Sequence, residues 1–328
     1  MQTGSIDTLP TILTLTMNPA LDVFLESPAL EPGRKLRCAK PLYIPGGGGI
    51  NVSRAIRRLG GQSMALFPAG GTAGYRVIEL LAREQIATNV IRIAEETREN
   101  VNVLETTTGR EYRFIVPGPK LAFEEWKHVL RAIHSLEPRP DYLVASGSLP
   151  PNVPSNFHAR LAELCTTLKI RFVVDTTGEA LRSACGKGTY LLKCNVAELT
   201  SFAGGDESED GVLYTAQSLV DAGRCEVIVV SAGAAGAVVA QRAGAMRIPA
   251  PVVPVTSAVG AGDSMTAGIV FALANGSSIE DAAMFGVAAG SAAVMTHRHE
   301  LCRREETEHL YAELHRSISA APVAVGAA

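Results

Sequence analysis

The sequence predicts an α/β fold, in which helices cover both faces of a mostly parallel sheet. After Pro117, strand-like apolar segments alternate regularly with helix-like ones; they lie near 142–146, 170–175, 190–193 and 226–231. This alternation is typical of a buried parallel sheet. The shorter apolar segments before Pro117 do not fit that sheet, so they predict a small accessory sheet within the first 120 residues. With 328 residues, 47% of them hydrophobic, the chain can bury a large core.

In the first part of the chain, the run ILTLTMN (12–18) predicts a buried strand, and DVFLES and KLRCAKPLYI predict shorter strands. INVSRAIRRLGG, from Ile50, is typical of a helix that ends at a glycine pair. SMALFPAGG predicts a strand that enters a glycine turn, and YRVIELLAREQI predicts another helix. Two segments, 100–105 and 110–116, flank TTTG and predict a hairpin.

Near the other end, VVPVTSAV predicts a strand that ends at Val259, and DSMTAGIVFALANG predicts a helix after it. The chain has no repeat of fixed period. The tail SAAPVAVGAA is low in complexity, so we expect residues 320–328 to be flexible, as well as residues 1–10.

Composition excludes several classes of function. The formal charge is −3, from 30 basic and 33 acidic residues without long blocks, which disfavours nucleic-acid binding. Six cysteines show no C-x-x-C pair, so free thiols in a reducing cytosol are expected. The longest apolar stretches are shorter than the ~20 residues of a membrane span, and the N-terminus does not resemble a secretion signal. We therefore expect a cytoplasmic protein that binds neither membranes nor nucleic acid.

The segment VTSAVGAGDSM places Gly260, Ala261, Gly262 and Asp263 where a strand is expected to give way to a helix. Glycines at a helix N-terminus let an anion approach the unpaired N–H groups. An acid in the first turn also complements the helix dipole, by ~0.3–1 kcal/mol. The residues alone leave a helix cap and a reaction centre both open.

Four consecutive glycines precede Asn51 in PGGGGIN. Glycine is costly in chain entropy, so this run indicates that something approaches its backbone closely. Asn51 falls at or near the start of the next helix, where its side chain could cap the helix or contact a ligand hydroxyl. A flexible turn with a cap is the alternative.

Three cations form a possible phosphate clamp. In GRKLRC, Lys35 and Arg37 would share one face of a strand, because alternate residues point the same way. Arg98 stands just before another predicted strand. Single cations on short strands are usually solvated, but together these three could bind a phosphate.

In KCNVAEL, Asn195 and Glu198 are spaced to share one helix face. An amide and a carboxylate so placed can organise a hydrated Mg²⁺. They equally fit a variant of the capping box. VSAGAAGA (230–237) either lines a nucleotide site or simply connects two strands, and SGSLPP (146–151) ends a strand with two hydroxyls.

In this order, the motifs resemble the PfkB-type sugar kinases of the ribokinase-like superfamily, over almost the whole chain. The resemblance is greatest to the branch of minor bacterial 6-phosphofructokinases. The segments that carry it are TLTMNPALD, EPGRKLRC, PGGGGINVSRAIRRLGG, FPAGG, EYRFIVPGP, SGSLPP, DTTGEAL and VGAGDSM. It implies one ribokinase-like α/β/α domain over 11–319, with a β lid built from segments within roughly 20–45 and 98–117.

The resemblance also implies an activity: ATP- and Mg²⁺-dependent phosphorylation of the C1 hydroxyl of fructose 6-phosphate. The alternatives in the same family are kinases of tagatose 6-phosphate and fructose 1-phosphate. Asp263 would be the base, and Gly260, Ala261 and Gly262 the anion hole. The implied sugar-phosphate ligands are Asp22, Lys35, Arg37, Gly47, Gly48, Asn51, Arg98 and Ser148. Lys193, Asn195 and Glu198 would face the ATP phosphates and Mg²⁺, with the metal bound through water, and Ser231, Gly233 and Gly236 would line the nucleotide loop.

The lid also implies a homodimer, since relatives commonly pair through it. Ser257 and Ala258 replace the Asp-Thr or Ser-Thr pair of many relatives, which weakens the case for a potassium ion. THRHE (296–300) replaces an expected Asn and Gly near the adenine, and Cys194 stands where proline is frequent.

Two other classes of function fit less well. A dinucleotide-dependent oxidoreductase needs G-x-G-x-x-G after the first strand, where this chain has NPALD. A non-catalytic sugar-phosphate sensor would not need Asp263 together with the glycines before it.

Overall fold

The chain forms two sheets in the computed structural model, which describes residues 12–186, 188–297 and 300–320. Residues 1–11 and 321–328, where the tails are expected, lie outside the described residues. The strands are β1 (Ile12–Leu15), β2 (Ala20–Ser27), β3 (Leu42–Gly46), β4 (Met64–Ala69), β5 (Ala87–Arg92), β6 (Arg98–Glu105), β7 (Glu111–Phe114), β8 (Tyr142–Ser146), β9 (Arg171–Asp175), β10 (Leu191–Asn195), β11 (Val227–Ser231), β12 (Ala237–Gln241) and β13 (Gly244–Ile248).

Helices join most of these strands. They are α1 (Gly48–Arg58), α2 (Gly71–Arg83), α3 (Phe123–His134), α4 (Phe157–Leu168), α5 (Gly178–Ala184), α6 (Val196–Ala203), α7 (Glu209–Asp221), α8 (Ala261–Ala274), α9 (Ile279–Val294) and α10 (Arg304–Ala320). A short 3₁₀ turn, Gly233–Ala235, joins β11 to β12. No helix in the described part of the chain is long and apolar enough to cross a membrane.

The larger sheet has the strand order β13-β12-β11-β10-β9-β8-β1-β4-β5. Its strands pair in parallel except for β11 with β12 and β12 with β13. Successive side chains of β1 pack on opposite faces: Leu13 joins a core with α3 to α7, and Ile12 joins one with α1, α8, α9 and α10. This confirms the predicted α/β architecture with a mostly parallel central sheet.

A separate sheet, β3-β2-β6-β7, lies beside the large one. Its strands β6 and β7 form the antiparallel hairpin predicted from the sequence. All six cysteines are free, as expected, and only Cys38 among them is exposed.

Two local predictions were wrong, and one pair of strands was missed. The segment 35–41 is irregular, because Pro41 lacks the N–H that would extend the β2–β3 ladder beyond Leu42. The strand expected over 252–259 is also irregular: Pro254 interrupts it, and Val252 is fully exposed. The antiparallel hairpin of β12 and β13 was not predicted at all.

Candidate active site

The first turn of α8 carries Asp263, at the carboxyl edge of the large sheet. Gly260 precedes this helix in a left-handed conformation with φ of 80°. A Cβ added there would also lie 2.7 Å from Cδ2 of Leu301, so a side chain would have to displace that leucine. The turn therefore presents bare backbone at a helix N-terminus, which favours an anion.

Asn51 reaches Asp263 from α1. Its Nδ2 donates to Asp263 Oδ2 over 2.9 Å. The helix begins at Gly48, earlier than the sequence indicated, and Gly47 occupies the cap position. Asn51 therefore lies inside the first turn, with its own N–H bonded to the Gly47 carbonyl, and its side chain contacts the acid rather than capping the helix.

A buried ion pair lies beside Asp263. Lys193 Nζ, from the middle of β10, is 3.1 Å from Asp175 Oδ2 at the end of β9. The same carboxylate oxygen accepts a 2.9 Å hydrogen bond from Thr266 Oγ1 on α8. A Cβ added to Gly262 would lie 3.0 Å from Lys193 Nζ, so the ammonium lies against the glycine turn. Burial lowers the pKa of Lys193, but the charge and hydrogen bond of Asp175, together with the charges of Asp263 and Glu198, outweigh it, and the net shift is upward.

Asp175 was not among the predicted site residues. The signal that could have found it is an acid as the last residue of a buried apolar strand, RFVVD, at the edge where parallel strands end.

The environment of Asp263 raises the pKa of its carboxyl to about 6. Burial is the main cause, and the negative charge of Asp175 adds to it. Hydrogen bonds from Asn51 and Ser146 and the charge of Lys193 act in the opposite direction. The carboxyl is thus mostly ionised near neutral pH, yet it is a better proton acceptor than an ordinary aspartate.

The glycine run is approached closely by the chain itself. A Cβ on Gly46 would collide with the Asp22 carboxylate, and one on Gly48 with the Ser146 hydroxyl. A Cβ on Gly47, whose φ is 115°, would lie 2.5 Å from the Thr16 methyl. The sequence correctly indicated a close approach, and these contacts explain it before any ligand is considered.

Asp22, the predicted sugar ligand on β2, is fixed by a 2.8 Å hydrogen bond from Asn100 Nδ2. Burial raises the pKa of Asp22 above its usual value, against the opposing effects of the Asn100 hydrogen bond and the Arg98 charge.

Arg98 lies at the start of β6, half-buried, and its guanidinium holds backbone carbonyls. Nη2 donates to Asn18 O (3.0 Å), Nη1 to Val116 O (3.1 Å) and Nε to Pro19 O (3.4 Å). Burial lowers the pKa of Arg98, and Asp22 opposes this. Ser148, another predicted phosphate ligand, is exposed and accepts a 3.1 Å hydrogen bond from Asn18 Nδ2.

The sequence predicted that Lys35 and Arg37 share one face of a strand, and this was wrong. Both are exposed in the irregular connection between β2 and β3. The apolar residues that alternate with them, Leu36 and Cys38, are exposed as well, so neither face of the segment is buried against the small sheet.

Asn195 and Glu198 form a capping box at the start of α6. Asn195 Oδ1 accepts from the Glu198 N–H, and Glu198 Oε2 accepts from the Asn195 N–H, both over 2.8 Å. Asn195 is exposed and Glu198 is half-buried. The described residues contain no cluster of three or more His, Cys, Asp or Glu that could hold a metal. One oxygen of Glu198 lies outside the box, which suits a contact to a hydrated ion more than direct ligation.

Ser231, Gly233 and Gly236 form the turn between β11 and β12. Ser231 Oγ donates to Cys194 O over 3.3 Å, and both glycines have positive φ, of 58° and 96°. Cys194 itself is fully buried in β10. The turn is therefore a strand connection, and it stands at the carboxyl edge where ligands bind in such sheets.

An open cavity of about 300 Å³ gathers part of the predicted set. Its walls include Ser148, Lys193, Gly262, Asp263 and the unpredicted Asp175. An acid, an ammonium group and a bare helix N-terminus thus converge on one space, a combination suited to transferring an anionic group to a hydroxyl.

Comparisons with known proteins cover most of this chain. A family model described as pfkB family carbohydrate kinase matches residues 16–305. The ATP-dependent 6-phosphofructokinase isozyme 2 of Mycobacterium tuberculosis is 40% identical, over 97% of this chain and 92% of that protein.

Two solved structures of phosphofructokinase-2 from Escherichia coli also match. The complex with potassium has a TM-score of 0.89 and 37% identity, and the complex with fructose-6-phosphate has a TM-score of 0.85 and 38% identity. Each match covers 94% of this chain and 100% of that structure.

Proposed function

This chain belongs to the pfkB family of carbohydrate kinases, and from that premise we propose that it phosphorylates the C1 hydroxyl of fructose 6-phosphate. ATP donates the phosphoryl group, and fructose 1,6-bisphosphate is the product. The observation that carries the proposal is the Asn51–Asp263 hydrogen bond, which holds an ionisable acid at the glycine turn of α8. Relatives of this length and similarity that are named 6-phosphofructokinases support the choice of sugar.

Asp263 is the proposed base. Its carboxylate accepts the proton of the C1 hydroxyl as that oxygen attacks the γ-phosphorus, and the bond from phosphorus to the bridging oxygen of ATP breaks. A pKa of about 6 keeps the carboxylate available at neutral pH, and Asn51 fixes its orientation.

The backbone of Gly260, Ala261 and Gly262 is the proposed anion hole. Charge on the transferring phosphoryl group is stabilised by N–H groups at the helix N-terminus. Lys193, held by Asp175 against Gly262, adds a positive charge on the same side.

The proposed sugar site lies between the glycine run and the small sheet. Asp22, Gly47, Gly48 and Asn51 bind the hydroxyls, and Asp22 is already oriented by Asn100. Lys35, Arg37, Arg98 and Ser148 bind the 6-phosphate. For Lys35 and Arg37, this requires the β2–β3 connection to fold over the sugar, as expected of a lid that excludes water.

ATP is proposed to lie along the ends of β10 and β11, with Ser231, Gly233 and Gly236 beside the nucleotide. Asn195 and Glu198 would contact a hydrated Mg²⁺ through water, since the capping box leaves only part of Glu198 for it. Bound Mg²⁺ neutralises charge on the ATP phosphates. Ala258 weakens the case for a potassium ion, because Ser257 and Ala258 stand where many relatives have an Asp-Thr or Ser-Thr pair.

We propose a cytoplasmic homodimer formed through the small sheet, whose outer strands are β3 and β7. Leu42, Phe114 and Ile115 on this sheet and just after it are 44%, 55% and 54% exposed, an apolar surface that a second copy would cover. Sedimentation should give twice the monomer mass, and Phe114→Glu should lower it to that of the monomer.

A steady-state comparison of kcat/KM for fructose 6-phosphate, tagatose 6-phosphate and fructose 1-phosphate, each with ATP and Mg²⁺, tests the function. We expect fructose 6-phosphate to give the highest value. Preference for fructose 1-phosphate would overturn the proposed substrate, and no phosphorylation of any sugar would favour the sensor alternative.

A further inference from the structure

Asn18 lies at the junction of two proposed phosphate ligands. It is only 7% exposed, at the turn between β1 and β2. Its side-chain Nδ2 donates to Ser148 Oγ over 3.1 Å, and its backbone carbonyl accepts from Arg98 Nη2 over 3.0 Å. Nothing in the sequence singled out this residue beyond its place in TLTMNPALD.

The Asn18 side chain is fixed tightly but incompletely satisfied. Its Oδ1 is buried and has no hydrogen-bond partner among the described residues. The same oxygen occupies the space that a Cβ of Gly118 would need, so the chain returning from the small sheet packs directly on it. A buried amide with one unpaired end is costly, which indicates a role beyond packing.

Arg98 retains donors toward this junction. A guanidinium carries five N–H groups. Three donate to the carbonyls of Asn18, Pro19 and Val116, which leaves one on each terminal nitrogen with no partner in the described part of the chain. Two such groups suit a bidentate contact with a phosphate.

The direction of the Asn18–Ser148 bond decides what Ser148 can do. Because the amide donates, the Ser148 oxygen is the acceptor and its hydroxyl hydrogen stays available. That hydrogen can be donated to an anion in the cavity of about 540 Å³ that Asn18, Gly118 and Ser148 line together.

We propose that Asn18 is a positioning residue for the sugar phosphate, which acts by turning the Ser148 hydroxyl toward the phosphate and by bracing Arg98. This inference rests on the proposed function. Asn18 touches neither the sugar hydroxyls nor ATP, so its contribution falls on the affinity for the sugar phosphate.

The test is steady-state kinetics on the full-length enzyme with fructose 6-phosphate and ATP, for wild type, Asn18→Ala, Ser148→Ala and the double variant. Losing one orienting hydrogen bond should raise KM for the sugar phosphate by roughly 2- to 12-fold. We expect kcat and KM for ATP to change less than about twofold, since neither depends on this contact. The Asn18→Ala substitution keeps the backbone carbonyl that accepts from Arg98 and removes only the side-chain contact with Ser148. The double variant should therefore be no worse than the weaker-binding single variant.

Asn18→Asp is the matched variant, equal in size but able only to accept. Its carboxylate would take up the Ser148 hydroxyl hydrogen and repel the phosphate, so KM should rise further than in Asn18→Ala. Melting temperatures of all variants identify any that fail to fold. If Asn18→Ala is among them, the isosteric Asn18→Asp variant carries the comparison.

The inference is overturned if Asn18→Asp keeps wild-type affinity or if Asn18→Ala leaves KM for the sugar phosphate unchanged. It is also overturned if a variant loses kcat and kcat/KM equally, or if the effects of the single substitutions multiply in the double variant. A wild type that phosphorylates none of the three sugar phosphates would instead refute the proposed function, and the inference with it.

Discussion

Asp175→Asn should move the acid limb of the pH–rate profile, and it is the sharpest test of the proposed base. Burial and the Asp175 charge together raise the pKa of Asp263 from 3.8 to about 6. The substitution removes a negative neighbour, which stabilises the ionised form of Asp263 and lowers its pKa. It also removes the carboxylate partner of Lys193, so the ammonium charge acts more strongly on Asp263. This too lowers the pKa of Asp263.

Loss of one neighbouring charge typically shifts a carboxyl pKa by about one unit or more, and each unit corresponds to ~1.4 kcal/mol. The limb assigned to Asp263 should therefore move from about pH 6 to roughly pH 5 or below. The 6-phosphate of the substrate also titrates near pH ~6, but identically for both enzymes. In the wild type, both Asp263 and the 6-phosphate take up a proton below pH ~6, so the slope of log kcat/KM against pH should be nearly 2 there. In Asp175→Asn only the phosphate titrates in that range, so the slope should fall to nearly 1, a difference on the order of one proton.

The assay is kcat/KM for fructose 6-phosphate at saturating ATP, between pH 5 and 8. Thr266→Val is the control, because it removes the 2.9 Å hydrogen bond to Asp175 without changing any charge, and its limb should stay where the wild-type limb lies. If Asp175→Asn keeps both the slope and the midpoint of the wild type, Asp263 is not the group that titrates, and the base assignment is refuted.

The remaining predictions address the same site. Asp263→Ala should lower kcat by roughly 10²- to 10⁴-fold with the fold intact by circular dichroism, and near-full activity would contradict its role as base. Arg98→Ala should raise KM for the sugar phosphate by more than it lowers kcat, whereas equal losses of kcat and kcat/KM would argue against ground-state binding. Gly260→Ala should destabilise the enzyme by ~1–2 kcal/mol or more in urea unfolding, because φ is 80° and Leu301 occupies the space; an unchanged midpoint would show that the turn relaxes freely.

Most of the large sheet was predictable, because most of its parallel strands are short, mainly apolar runs whose signal lies within a few residues. The strand predictions that failed concern edge segments. The valines of 252–259 have strand propensity, but Pro254 removes a donor and no neighbouring strand is there to pair with. For the β12–β13 hairpin, the alanine-rich sequence offered no alternation, and pairing with β11 decided its structure.

A site residue could be predicted only where a recognisable motif also lies at the carboxyl edge of the large sheet. Asp263, Gly262 and Lys193 meet at one cavity because all three stand at the carboxyl edge of the sheet. The pairing of Lys193 with Asp175 depends on β9 and β10 being neighbours, and local sequence patterns do not reveal the order of strands in a sheet. Lys35 and Arg37 illustrate the opposite failure, since alternate spacing has meaning only if a strand forms.

The glycine run links these observations. Its absent side chains indicated a close approach to the backbone, and Asp22, Thr16 and Ser146 fill the space that side chains would take. That close packing brings the N-terminus of α1 against the ends of β1 and β8, which is what allows Asn51 to span to Asp263. Small residues in one segment thus position a polar residue in the next, and the hydrogen bond that orients the proposed base depends on glycines that never touch it.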